Sequence, residues 1–160
     1  MAGSWAALDP GRSKCGLVLS DASQGQVIQA LIEPAATCLE RLTQWRLDGL
    51  QGVVIGDGTA CGDWPELLRT QGLCVAVVDE RGSTLAARQR YWQLFPPRNW
   101  RRLLPRGMNV PPRPVDDVAA QLLLERWLGH SLSRAAALEK PLRDQERRRR
   151  IQNRARTVKA

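Results

Sequence analysis

Three groups of acids carry the chemistry most worth pursuing in this chain. Asp9 ends the first apolar run, Asp79-Glu80 follows the last β-type run, and Asp116-Asp117 opens the strongest helical pattern. Carboxylates that converge repel one another, and a cation between them relieves the repulsion. Mg²⁺ and Mn²⁺ take such oxygen ligands. Two such ions about 3.5–4 Å apart activate a water and stabilise the leaving oxygen in phosphodiester cleavage. That chemistry needs no Cys–His or Ser–His pair, and the chain has one histidine, His130. Each acid also has a plainer reading. Asp9 before Pro10-Gly11 could start a turn. Asp116 or Asp117 could cap a helix. Glu80 could pair with Arg81.

The elements that must position these acids follow from the apolar spacing. Ser4 to Leu8, Cys15 to Ser20 and Gln26 to Ile32 read as strands joined by short links, so they must be antiparallel neighbours. From Pro34 the apolar residues Cys38, Leu39, Leu42 and Trp45 recur at helical spacing until Gly52. Gly52 to Gly56 and Leu73 to Val78 read as buried strands around a short helix, Trp64 to Thr70. Ser83 to Leu94 reads as a helix ended by Pro96-Pro97. Arg98 to Pro114 is irregular, and Val115 to Leu128 is a helix closed by Gly129. Ser133 onward is expected to be helical or disordered. The expected fold is α/β. Its mixed five-stranded sheet has antiparallel first three strands, then parallel ones, flanked by helices, and resembles a ribonuclease H-like sheet. Ligands of open sheets bind outside the carboxyl ends of parallel strands. Asp9 and Glu80 would share that edge, and a helix start there would bring Asp116.

Charge points to a polyanionic partner. The 160 residues carry a net charge of +8. Residues 143–160 hold eight basic and two acidic side chains, so this tail supplies most of the imbalance. Such a tail suits nucleic acid. Eight arginines and no acid lie between Arg81 and Val115, interleaved with Tyr91, Trp92, Phe95 and Trp100. Arginines neutralise phosphates, and aromatic faces stack unpaired bases. Arg81, Arg98, Trp100, Arg101 and Arg102 are the expected substrate contacts, while Trp92 and Phe95 are expected to pack their helix. The expected division is a nuclease domain over 1–130 and a basic tail over 131–160, with no membrane span and no signal-peptide pattern. The cysteines Cys15, Cys38, Cys61 and Cys74 form no C-x-x-C pair and read as reduced, mostly core thiols of a cytoplasmic protein.

The same residues carry a family resemblance. Ala7-Leu8-Asp9-Pro10-Gly11-Arg12-Ser13-Lys14-Cys15-Gly16 resembles the D-x-G-x-x-x-x-G strand–turn–strand of the YqgF family, also called RuvX. Val53 to Thr59 occupies the place of its central strand and glycine turn. Asp79-Glu80-Arg81-Gly82-Ser83-Thr84-Leu85-Ala86 resembles its D-E-R-x-S-T-x-x-A block, and Asp116-Asp117-Val118-Ala119-Ala120 its D-x-x-A-A helix. The central Gly56-Asp57-Gly58-Thr59 departs from the family's common Gly-Leu-Pro and looks more like the turn of Tex-type transcription accessory proteins. The resemblance implies a RuvC/ribonuclease H-like fold and a metal-dependent nuclease acting in 5′-end maturation of pre-16S ribosomal RNA or on branched DNA. It makes Asp9, Glu80 and Asp116 the catalytic acids, with Asp9 bridging two Mg²⁺ or Mn²⁺ ions and Asp117 the alternative to Asp116 as a metal ligand. It places Lys14 at substrate phosphate, with Arg12 a further expected substrate contact, and has Ser83 and Thr84 cap the following helix.

Two other functions compete with a nuclease. One is a ribosome-assembly or nucleoid factor that binds RNA or DNA without cutting it. The other is an actin/Hsp70-type ATPase, which needs two such domains and over twice this length. A homodimer would suit a two-fold symmetric four-way junction, and a monomer the ribosomal RNA role.

Overall fold

Three apolar segments with tight links between them make the first half of the sheet. In the computed structural model, which describes residues 3–97, 99–105 and 108–138, these are β1 (Trp5–Asp9), β2 (Lys14–Ser20) and β3 (Gln26–Pro34). β1 pairs antiparallel with β2, and β2 with β3, the register slipping at Leu19/Ser20. After α1 (Ala35–Leu47) the chain returns as β4 (Gly52–Gly56), parallel to β1. After α2 (Trp64–Thr70) it returns again as β5 (Cys74–Val78), parallel to β4. Then come α3 (Ser83–Leu94), a 3₁₀ turn at Asn99–Leu103 and α4 (Asp116–Leu128). The result is the expected α/β fold, with antiparallel first strands, then parallel ones, flanked by helices.

Alternation along the strands divides the core between two faces. Ala6, Leu8, Leu17, Val53 and Ile55 pack against Cys38, Leu42 and Trp45 of α1 and Leu68 of α2. Ala7, Val18 and Val54 face the other way, onto Ala120, Leu123 and Leu124 of α4. A third cluster joins Ala87 and Tyr91 of α3, together with Phe95, to Val118 and Ala119 of α4. Gly129 closes α4 in the left-handed conformation, φ 77°, where an L side chain is strained.

The sheet has six strands, not the expected five, in the order β5-β4-β1-β2-β3-β6. β6 (Ser133–Arg134) pairs parallel with β3 in place of the helix expected from Ser133. The cause is a buried charge. Arg134 reaches Asp117 at 2.9 Å and Gln121 at 2.8 Å on α4, which draws this segment across the edge of β3. Leu132 and Leu138 are buried on either side of it, so residues 131–138 belong to the packed domain rather than to the tail. The remainder of the basic tail lies outside the described residues. Cys15 and Cys38 are buried, Cys61 is half-buried and Cys74 exposed, so two of the four thiols are core. Among the described residues no helix is long and apolar enough to cross a membrane.

Candidate functional site

Asp9 stands at the carboxyl end of β1, in the middle of the sheet. Its partner on β2 is Gly16, and β4 ends beside it at Gly56, one residue beyond the Leu8–Ile55 pair. Both neighbours therefore lack a side chain, and each gap is filled. A Cβ on Gly16 would collide with the Asp116 carbonyl, so the start of α4 rests directly on β2. A Cβ on Gly56 would collide with the Glu80 carboxylate. The two glycines thus let Asp116 and Glu80 approach Asp9 from opposite sides.

The electrostatics register this crowding. Burial, then the charges of Glu80 and Asp116, push the Asp9 carboxyl from its ordinary 3.8 up to about 7. One cation answers the cluster directly: Lys14 Nζ lies 3.2 Å from Asp116 Oδ2. Lys14 was expected at substrate phosphate; here its ammonium is held by the cluster. Arg12 is exposed in the turn between β1 and β2.

Glu80 is positioned by residues that the sequence did not single out. Its backbone N–H donates to Asp57 Oδ1 at 3.1 Å. Arg126 of α4 donates to the carbonyls on either side of it, Asp79 at 2.7 Å and Arg81 at 3.3 Å. The Gly-Asp-Gly turn contained the signal for Asp57. Arg126 carried none, because its target is backbone 45 residues or more away. Arg81 pairs with Asp79, at 2.9 Å, not with Glu80. Ser83 and Thr84 do not cap α3, whose N-cap is Gly82 in the left-handed conformation. The Ser83 N–H is satisfied instead by the Glu80 carbonyl at 2.9 Å.

Asp117 is no alternative to Asp116. It is fully buried and held by Arg113 at 2.6 and 3.2 Å and by Arg134 at 2.9 Å. With its oxygens committed to two guanidinium groups it has no place in a metal shell. Neither acid caps α4, which has no side-chain cap. Successive helical residues point about 100° apart. One acid can therefore enter the core and anchor the helix while its neighbour faces Lys14 and Asp9.

The donor chemistry fits a hard divalent cation: three carboxylates, one of them desolvated and unable to ionise easily beside the others. Among the described residues, no three acidic, histidine or cysteine side chains yet stand close enough to share one ion. Of the expected substrate contacts, Trp100 is exposed with Arg101 5.4 Å over its ring. Arg102 is exposed nearby, and Arg98 lies outside the described residues. Phe95 packs into the core as expected. Trp92 is half-buried, and its indole N–H donates to the Asn109 carbonyl at 2.8 Å.

No protein-family model matches the chain, and no curated protein does. Solved structures do. RuvC of T. thermophilus, in complex with Holliday junction substrate, matches with a TM-score of 0.48 and 17% identity, over 79% of this chain and 96% of its own. YeaZ from Pseudomonas aeruginosa matches at 0.37 and 18% identity, over 57% of this chain and 48% of its own. The ethanolamine utilization protein EutJ from Carboxydothermus hydrogenoformans matches at 0.36 and 17% identity, over 52% and 39%. The chain thus spans less than half the length of the last two.

Proposed function

We propose that this protein is a divalent-metal-dependent endonuclease that hydrolyses phosphodiester bonds in nucleic acid, of the YqgF type, acting in 5′-end processing of pre-16S ribosomal RNA. One observation carries the reading: at the carboxyl end of β1 the half-buried Asp9 is flanked by Gly16 and Gly56, which admit the start of α4 with Asp116 and the Glu80 carboxylate, and this crowding pushes the Asp9 carboxyl up to about 7. A protein that only held phosphates would gain nothing from three acids facing them. Asp9, Glu80 and Asp116 would hold the cation. Bound there, one or two Mg²⁺ or Mn²⁺ ions neutralise phosphate charge and activate a water.

The chain's own residues do the rest. Asp9 must give up its proton to become a ligand, so cation and proton compete for it. Lys14 lies on Asp116, and an ion taking that carboxylate frees the ammonium for a phosphate oxygen. Arg12, Arg81, Trp100, Arg101 and Arg102 hold the strand, the arginines by charge and Trp100 by stacking. Asp57 and Arg126 fix the backbone that carries Glu80.

The test sets a labelled precursor ribosomal RNA fragment beside a labelled four-way DNA junction, in Mn²⁺, in Mg²⁺ and in EDTA. Cleavage should need metal, should favour the RNA, and should vanish in Asp9→Asn while nucleic-acid binding stays nearly intact. An unchanged rate in Asp9→Asn would refute the assignment, and cutting of the junction alone would make the protein a branched-DNA resolvase. A second reading, a nucleic-acid binder that does not cut, draws on the spacing of the acids, which do not yet meet at one ligating point. Binding without cleavage in every metal would establish it.

A further inference from the structure

The face of α3 that turns away from α4 lines a cavity of about 800 Å³, closed on its far side by the segment that follows the helix. Leu85, Arg88 and Trp92 contribute from α3, and Arg102, Asn109 and Val110 from the loop. The helical residues recur at i, i+3 and i+7, one stripe about 10 Å long. The stripe begins five residues after Glu80 in the chain.

Three properties of this cavity define its occupant. First, its surroundings are apolar yet open to water. Of its lining residues, Leu85 is 64% exposed and Val110 62%. Apolar side chains gathered at this exposure mark a binding surface. Second, its charge is of one sign. Arg88 and Arg102 line it, and no acid occurs between Arg81 and Val115. Third, its polar groups are fixed and one is unused. Trp92 Nε1 donates to the Asn109 carbonyl at 2.8 Å, Asn109 Nδ2 to the Arg101 carbonyl at 3.1 Å, and Arg101 to the Val110 carbonyl at 3.2 Å. These bonds tie the loop to α3. They leave the buried Asn109 Oδ1 with no donor among the described residues.

Apolar side chains and a cationic rim together match a planar base with an attached phosphate. We propose that this cavity receives an unpaired nucleotide of the substrate strand, its base against Leu85, Trp92 and Val110, and its phosphates on Arg88 and Arg102. The size is that of a small-molecule site, about 300–1,000 Å³. A base within a duplex is stacked and paired, and enters such a slot only after leaving the stack. The substrate is therefore a strand with unpaired residues next to the bond that is cut. This rests on the nuclease reading for its setting, but the binding itself does not.

Binding in EDTA separates the two. Fluorescein-labelled single strands of about ten nucleotides, both DNA and RNA, are titrated by anisotropy beside the same sequences as duplexes. Single strands should bind more tightly than duplex. Arg88→Gln and the exposed Val110→Glu should each weaken single-strand binding about tenfold and leave duplex binding within about twofold. A 2-aminopurine base in the strand should be quenched on the wild type and not on Val110→Glu. Equal losses on single strands and duplexes, or no loss in either variant, would overturn the proposal. So would binding of polyglutamate with the same dependence on Val110, since the site would then be one for acidic peptides. Asp9-dependent cleavage with neither variant affecting binding removes the cavity proposal alone. Cavity-dependent binding with no cleavage in any metal removes the nuclease alone.

Discussion

Asp116 and Asp117 adjoin in the chain and end in opposite surroundings, so substituting them should have opposite effects. Asp117→Ala leaves Arg113 and Arg134 buried without their shared anion. Breaking a buried pair in this way costs about 3–5 kcal/mol. The Tm should fall sharply in calorimetry. Asp116→Asn removes one of three repelling carboxylates and a half-exposed pair with Lys14. Its Tm should hold or rise while cleavage is lost. Asp9 adds a pH dependence whose sign is fixed. Its folded-state value, about 7, lies above the ordinary 3.8, so the folded state keeps a proton that the unfolded chain releases. Its contribution to stability therefore diminishes as pH rises from about 4 to 7. Thermal melts in EDTA should show this downward component, and Asp9→Asn should remove it. Mg²⁺ or Mn²⁺ should raise the Tm more at pH 8 than at pH 5, since protons then no longer compete for the carboxylate.

At the scale of elements, the site depends on how closely α4 and the β5–α3 loop approach the sheet. Gly16→Ala drives a methyl into the first turn of α4, against backbone that cannot step aside. Overpacking of this kind costs about 1–3 kcal/mol, so both Tm and cleavage should fall. Gly56→Ala meets the Glu80 side chain, most closely its carboxylate, which can swing away. Cleavage should drop there with little change in Tm, as paired melting and activity measurements would show. Most of this frame was legible beforehand. Continuous apolar runs marked β4 and β5, helical spacing marked α1 and α4, and the order of the elements placed Asp9, Glu80 and Asp116 at one edge. What escaped was non-local. β6 has two residues and no apolar alternation; a buried ion pair with α4 makes it a strand. Arg126 and Asp57 act on backbone atoms, which leave no mark in side-chain spacing. The Asp116/Asp117 choice depended on Arg134, which sequence reading had assigned to the tail.

Over the whole molecule, the net charge of +8 rests on a few basic stretches of the chain. The acids of the site face one edge of the sheet. The stretch from Arg81 to Val115 holds eight arginines and no acid, and residues 143–160 carry a net charge of +6. Binding should thus be dominated by release of counterions from phosphates. With six or more phosphates neutralised, raising salt from about 50 to 200 mM should weaken affinity on the order of a thousandfold. A titration across salt concentrations checks this, and a shallow slope would mean that few of these arginines touch the backbone.

The clamp on Asp117 also sets the order in which the molecule is completed. A growing chain that has emerged only as far as Gly129 holds every strand through β5 and all four helices, but only one of Asp117's two guanidinium partners, Arg113. The second arrives with residue 134. Domains fold as units and from the N-terminus during synthesis. The helix that presents Asp116 is therefore locked in place only once residue 134 has joined it, after every strand and helix that carries the acids.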